Sequence, residues 1–241
     1  MEGGAVNSAP ANDTALLVGP DYTSSTGASR LLKQSLAQSP IERQPRLRAL
    51  AYVHGSVRIR MGQSKWFGEQ VMRLRATRSG AGEERRRCFE AFLFFARGVL
   101  DCEAFYAHRL CELDMDDRCV YITSIGGKAS RDGRRWTELA KVLDAHLGNR
   151  NQQTWFHRFN RLRTEATHRS VVPTGGFIPC ASLPDINFVP ENLDNPYGTW
   201  TPRAELGLGE IVQRSHDGVR SLLSEMEAVL LEYIRQNRVR L

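Results

Sequence analysis

Apolar residues recur at helical spacing over much of this chain, most clearly between residues 83 and 113. Two stripes run side by side there, one formed by Cys88, Phe92, Phe95, Val99, Cys102 and Tyr106, and the other by Phe89, Leu93, Ala96, Leu100 and Ala107. Steps of three and four residues place each stripe on one face of an α-helix. Because two adjacent stripes make a wide buried face, the pattern predicts the central helix of a helical bundle. Glu83 and Glu84 suit the start of this helix.

The segments on either side of this helix are less clear. Residues 45–80 look helical at both ends, but Val57, Ile59 and Met61 alternate with arginines in the middle, so helix and short strand both remain open there. The run CVYITSIGG at 119–127 predicts a short strand that ends at paired glycines.

Three further helices are predicted in the second half of the chain. Residues 136–148 form a short amphipathic pattern that ends at Gly148, and residues 151–169 place Trp155, Phe159, Leu162 and Ala166 on one face. A long closing helix is predicted over 206–236, with Gly218 as a weak point in it.

Two parts of the chain lack this periodicity. Residues 1–40 are rich in Gly, Ser, Ala, Thr and Pro, which predicts a disordered or loosely attached tail before a folded domain at 41–241. Residues 171–205 form a proline-rich insertion that offers at most a small hairpin from FIPC and INFV; its prolines are at 173, 179, 184, 190, 196 and 202. The predicted fold is therefore an all-α bundle with a minor β-hairpin or irregular insertion.

The charge of the chain suits a polyanionic partner. The formal net charge is +6, and only four of the 33 basic residues are lysines, so 29 are arginines. Basic side chains that neutralise phosphates release counterions, which favours RNA or DNA as a partner. A GC-rich genome would give the same arginine excess without a functional cause, so both interpretations stay open.

Cysteines and apolar runs indicate the compartment. The longest apolar stretch, residues 88–96, is too short to cross a bilayer, and the N-terminus lacks the pattern of a secretion signal. We therefore expect a cytoplasmic protein without a membrane partner. The five cysteines (88, 102, 111, 119 and 180) show no metal-binding spacing, so we expect packing roles for them and no metal or cofactor.

The end of the 151–169 helix concentrates basic residues in the run RLRTEATHRS at 161–170. At about 100° per residue, the side chains that share a face with His168 are His157, Asn160, Arg161 and Thr164. Arg161 lies roughly 10 Å below His168 along the axis, whereas Arg163 points about 140° away from it and borders the apolar face. This placement predicts that His168 is not a core histidine.

This Arg-x4-His pairing near the end of an inner helix resembles the HEPN superfamily. The resemblance rests on FNRLRTEATHRS at 159–170, on the core helix FEAFLFFARGVLDCEAF at 89–105, and on the closing helix at 206–236, and it covers about residues 83–236. Asn, Asp or His often follows the arginine in that family, whereas Thr164 follows Arg163 here. The family pattern favours Arg163 and helix geometry favours Arg161, so the working arginine stays open.

The resemblance implies that the chain is a metal-independent endoribonuclease that acts as a toxin or defence effector. In its reaction a 2′-hydroxyl of the RNA attacks the adjacent phosphate. His168 would act as general acid or base and Arg163 would stabilise the developing anion, because imidazole exchanges protons near neutral pH and guanidinium donates paired hydrogen bonds. The residues expected to hold the RNA are Asn160, Arg161, Thr164 and Arg169. A homodimer with facing motifs and an antitoxin or other regulatory protein are the implied protein partners.

The alternative interpretation is a non-catalytic HEPN-like helical module that binds RNA, nucleotide or a protein partner. In that case His168 and the neighbouring arginines only complement the helix end and solvate its exposed face. Arg97 and Asp101 interrupt the apolar surface of the central helix. A structural ion pair is the favoured interpretation of these two residues, and lining of the same cleft is the other.

Overall fold

The computed structural model describes residues 44–74, 81–131, 136–148, 154–168, 188–189 and 206–236, together with the isolated positions 30, 34, 37 and 38. Within these residues the fold is all-α, as predicted. The six helices are α1 (Gln44–Arg73), α2 (Ala81–Cys111), α3 (Ile122–Arg131), α4 (Thr137–Leu147), α5 (Trp155–His168) and α6 (Leu208–Gln236). A 3-10 turn spans Asp117–Cys119, and two short strands are β1 (Phe188–Val189) and β2 (Leu206–Gly207).

Helix α2 is the centre of the bundle, as its two apolar stripes predicted. It pairs with α1 along its length and also packs against α3, α5 and α6. The stripe that runs through Phe89 and Leu93 is fully buried, while Cys88, Phe95 and Cys102 of the other stripe are partly exposed. The acidic residues Glu83 and Glu84 lie in the first turn of α2, where they complement the helix dipole.

Helix α1 is continuous, which resolves the uncertain middle of its segment. Its buried residues recur at steps of three and four: Leu47, Leu50, His54, Val57, Met61, Ser64, Gly68 and Val71. Val57 and Met61 are four residues apart and therefore face α2 together, whereas Ile59 points to the opposite side. The local alternation that suggested a strand thus belongs to two opposite faces of one helix.

The predicted strand at 119–127 is wrong. The chain instead forms the 3-10 turn and then α3, whose buried residues Ile122, Ile125 and Ala129 follow helical spacing. Two side-chain acceptors satisfy backbone N–H groups at its start: Asp101 Oδ1 accepts from Ile122 N at 3.2 Å, and Ser124 Oγ accepts from Tyr121 N at 2.9 Å. These caps and the packing of three apolar residues outweigh the strand preference of the β-branched run.

Two glycines in the second half of the chain have defined roles. Gly148 ends α4, as predicted, with φ 68°, and its N–H donates to the Asp144 carbonyl at 2.9 Å. Gly218 of α6 lies against the Trp155 indole, which a Cβ would overlap. The weak point predicted in the closing helix is therefore a position where α6 packs against the first residue of α5.

Apart from positions 30, 34, 37 and 38, the tail at 1–40 lies outside the described residues, and so does most of the insertion at 171–205. Of the predicted hairpin, Phe188 and Val189 do form a strand, but they pair antiparallel with Leu206 and Gly207. The FIPC segment lies outside the described residues. In the described part of the chain Cys88, Cys102, Cys111 and Cys119 are free thiols, and Cys180 lies outside it.

Candidate functional site

Helix α5 carries the predicted motif and is fixed by one apolar face. Phe156, Phe159 and Leu162 are buried against α2 and its neighbours, whereas His157 is exposed. The predicted site residues Asn160, Arg161, Arg163 and Thr164 are all partly buried. His168 is the last residue of α5, and its side chain and all of Arg169 lie outside the described residues.

Asn160 is held by a residue of the central helix. Its Oδ1 accepts a hydrogen bond from Arg97 Nη1 at 2.7 Å, and the two residues are 63 positions apart in the chain. The hydroxyl of Thr164 donates to the carbonyl oxygen of Asn160 at 2.9 Å. The structure therefore engages two of the predicted substrate-binding side chains in hydrogen bonds within the protein.

Arg97 is the centre of a polar network that joins three helices. Its Nε donates to Asp101 Oδ2 at 3.0 Å, its guanidinium carbon lies 5.7 Å from the Phe156 ring centroid, and its side chain is 9% exposed. Asp101 in turn accepts from the backbone N–H of Ile122 at the start of α3. The ion pair predicted from the sequence is present, and it links α2 to α3 and, through Asn160, to α5.

Arg161 and Arg163 are more alike in burial than the helix projection predicted. The Nη2 atom of Arg161 and the Nε atom of Arg163 are both inaccessible to solvent. The choice between them as the working arginine therefore stays open.

Other histidines make specific contacts away from the motif. His108 Nε2 lies 3.1 Å from Asp117 Oδ1, and Arg109 contacts the other carboxylate oxygen of Asp117. His146 Nε2 lies 2.9 Å from Glu225 Oε1, and this contact is the first cause of a lowered pKa of Glu225. No group of three or more His, Cys, Asp or Glu side chains that could hold a metal occurs among the described residues.

A cluster of buried polar groups lies between α1, α2 and α6. The His54 ring centroid is 5.2 Å from that of Tyr106, and both residues are almost fully buried, as is Glu103. Burial, followed by the nearby Glu227 carboxylate, raises the pKa of Glu103 to about 8. Burial, assisted by Arg58, lowers the pKa of His54 to about 4, so both groups are mainly uncharged at neutral pH.

The link between Arg97 and Asn160 is the part of the site that sequence reasoning missed. Arg97 and Asp101 were recognisable because two charged residues four apart interrupt an apolar surface. No local pattern connects either of them to Asn160, because that contact depends on how α5 crosses α2.

Comparisons of the chain with protein-family models, with curated proteins and with solved structures give no match. None of the helices in the described ranges is long and apolar enough to cross a membrane.

Proposed function

We propose that the chain is a metal-independent endoribonuclease of HEPN type, with Arg163 and His168 as its catalytic residues. The observation that carries the proposal is the placement of α5. This helix packs against the central α2 of an all-α bundle, and its polar positions Asn160, Arg161 and Thr164 lie outside its buried apolar face. The motif residues stand at the C-terminal end of this helix.

In the proposed reaction His168 accepts the proton of an RNA 2′-hydroxyl as the 2′-oxygen bonds to the adjacent phosphorus. The bond from phosphorus to the 5′-oxygen then breaks, and that oxygen takes the proton that His168 now carries. Arg163 donates paired hydrogen bonds to the phosphoryl oxygens as their charge increases. Arg161, Arg169 and the Nδ2 group of Asn160 hold the RNA backbone beside the reacting phosphate.

We propose that the enzyme acts in the cytoplasm as a homodimeric toxin or defence effector. An antitoxin or another regulatory protein inhibits it. The net charge of +6 supports RNA as the substrate, because clustered arginines attract a phosphate backbone.

A second candidate is a non-catalytic helical module that binds RNA, nucleotide or a protein. The specific observation in its favour is that Asn160 Oδ1 and the Thr164 hydroxyl are already bonded within the protein. A helix whose polar residues mainly hold the bundle together would serve as a scaffold rather than as a catalyst.

Incubation of the purified full chain with RNA in EDTA tests the two candidates. We expect cleavage in the chelator, and we expect His168→Ala to reduce its rate by about 100-fold or more, as for loss of a general acid or base. His157→Ala is the matched control, because His157 is an exposed histidine on the same helix. Intact RNA, or equal loss in the two variants, would reject the catalytic proposal, while RNA binding without cleavage would support the module.

A further inference from the structure

Helix α1 exposes large apolar residues on the face opposite the core. Tyr52 is 80% exposed, Ile59 66% and Trp66 55%, and consecutive members of the set are seven residues apart. A spacing of seven keeps side chains on one side of a helix, within about 20° per repeat. The three residues therefore form one continuous apolar line along α1 that nothing in the described part of the chain covers.

Two glycines complete this line. Gly55 and Gly62 lie three residues after Tyr52 and Ile59, so large and small residues alternate at steps of three and four. A Cβ added at either glycine would meet nothing within 4 Å, so both positions are open notches on the surface. Steps of three and four are the pattern of a coiled-coil contact, in which a large side chain enters a space on the facing helix.

The charges on α1 leave this face free for an apolar contact. Between Arg48 and Glu69 the positions on and beside the line are uncharged; they are Tyr52, Gly55, Ser56, Ile59, Gly62, Gln63 and Trp66. Arg58 and Arg60 lie about 100° to either side of Ile59, at the flanks of the face. The centre of this face is therefore uncharged, so a second copy of α1 adds apolar residues and no charge there, while the flanks of both copies are basic.

We propose that α1 binds α1 of a second copy of this chain in antiparallel orientation. In this arrangement Tyr52 enters the notch at Gly62 of the second copy, and Ile59 enters the notch at Gly55. Trp66 then stacks on Arg48 of the second copy, a cation–π contact that places a positive charge on an aromatic face. The same three contacts repeat on the other side of the two-fold axis.

The alternation of large and small residues explains both the partner and its direction. A two-fold interface must present one surface that is complementary to itself, and this line carries large residues and matching notches on a single face. Parallel pairing would set Tyr52 against Tyr52, where the two side chains crowd each other. It would also set Gly55 against Gly55, where a gap remains. In the antiparallel register each large residue contacts a glycine or an arginine of the second copy.

The size of the contact is adequate for a stable dimer. About 27 residues of α1 overlap in this register, which corresponds to roughly 40 Å of helix. A strip of that length and about 15 to 20 Å wide buries approximately 700 Å² on each copy, close to the ~800 Å² of a standard specific interface.

This interface does not depend on the ribonuclease proposal. The motif helix α5 packs against α2, α4 and α6, whereas α1 packs against α2 and α6 with the face opposite the apolar line. The pairing through α1 therefore takes the place of a dimer with facing motifs, so the homodimer of this chain is held by α1 alone. Loss of the α1 dimer and loss of RNA cleavage can be measured separately in the same variants.

Light scattering of the full chain tests the proposal. We expect a mass of twice 27.2 kDa at micromolar concentration, and we expect Ile59→Arg to raise the dimer dissociation constant by about 100-fold or more. Tyr121→Arg is the matched control, because Tyr121 is also exposed, at 49%, and lies outside α1. Circular dichroism of each variant shows whether the fold is kept.

A knob-and-notch exchange tests the register. Gly55→Ile fills a notch and Ile59→Gly removes a knob, so each single variant should be monomeric. The double variant G55I/I59G exchanges the two features across the interface and should restore the dimer. A monomeric wild-type chain, dimers that persist in folded Ile59→Arg, or a double variant that stays monomeric would overturn the proposal.

Discussion

The buried carboxyl of Glu103 makes a direct test of the electrostatics of the core. Glu103 is 1% exposed, and its Oε2 and the Tyr106 hydroxyl have no hydrogen-bond partner within the described part of the chain. Burial and then the Glu227 carboxylate raise the pKa of Glu103 from 4.5 to about 8. Between these two values the folded state keeps a proton that the unfolded state has released, so stability falls as pH rises.

The magnitude follows from that shift. Each pH unit between 4.5 and about 8 should cost about 1.4 kcal/mol of unfolding free energy, and the full window about 5 kcal/mol. Glu103→Gln removes this titration, so relative to wild type it should gain about 3 kcal/mol between pH 4.5 and pH 7. His54 faces the same cluster and has a pKa lowered to about 4, but its contribution is common to both proteins and cancels.

Urea unfolding of wild type and Glu103→Gln at several pH values measures the effect. The difference in unfolding free energy between them should widen steadily from pH 4.5 to pH 8 and stay constant above it. Any constant offset from placing an amide in the core does not affect this slope. Glu232→Gln is the control, since Glu232 is exposed and lies outside the buried cluster around Glu103. Parallel curves for wild type and Glu103→Gln would show that Glu103 is not held neutral by burial.

Three further predictions test other parts of the bundle. Gly218→Ala should destabilise the chain by about 1–3 kcal/mol, because the added Cβ overlaps Trp155 and this outweighs the better helix propensity of alanine. An unchanged or raised melting temperature in thermal unfolding would show that this contact is loose. Arg97→Met and Asn160→Leu should each lower the unfolding free energy by about 2 kcal/mol, and the double variant should lose less than the sum because the two residues share one hydrogen bond. An additive double-mutant cycle would contradict this coupling. Burial, followed by the charge of Arg220, lowers the pKa of His216 to about 4, so the unfolding free energy should fall as pH drops from 6.5 to 4. In unfolding curves measured across this range, His216→Gln should remove about 3 kcal/mol of that loss.

Local periodicity was enough to predict most helices and their ends. The two stripes of α2, the end of α4 at Gly148 and the buried face of α6 each depend on residues within a few turns of one another. Residues 119–127 were assigned wrongly because the deciding groups are remote. The acceptor at the start of α3 is Asp101 of another helix, and the apolar surface that covers Ile122 and Ile125 comes from the rest of the bundle.

The candidate site also has features that the sequence predicts and features that depend on how the helices pack. The sequence showed the basic run at 161–170 and the pairing of Arg97 with Asp101, because both lie within single helices. It did not show that Arg97 also holds Asn160, which engages a residue expected to bind RNA. The resemblance to the HEPN superfamily and the roles of Arg163 and His168 remain predictions.

The sequence by itself determined that the chain forms amphipathic helices around one central helix, because burial of apolar stripes at a period of 3.6 residues is a local property. Tertiary structure decided which polar residues are used inside the bundle and which apolar residues are left outside it. Asn160 is bonded to Arg97, and Ile59 is exposed on α1, because both outcomes depend on how helices far apart in the chain cross one another.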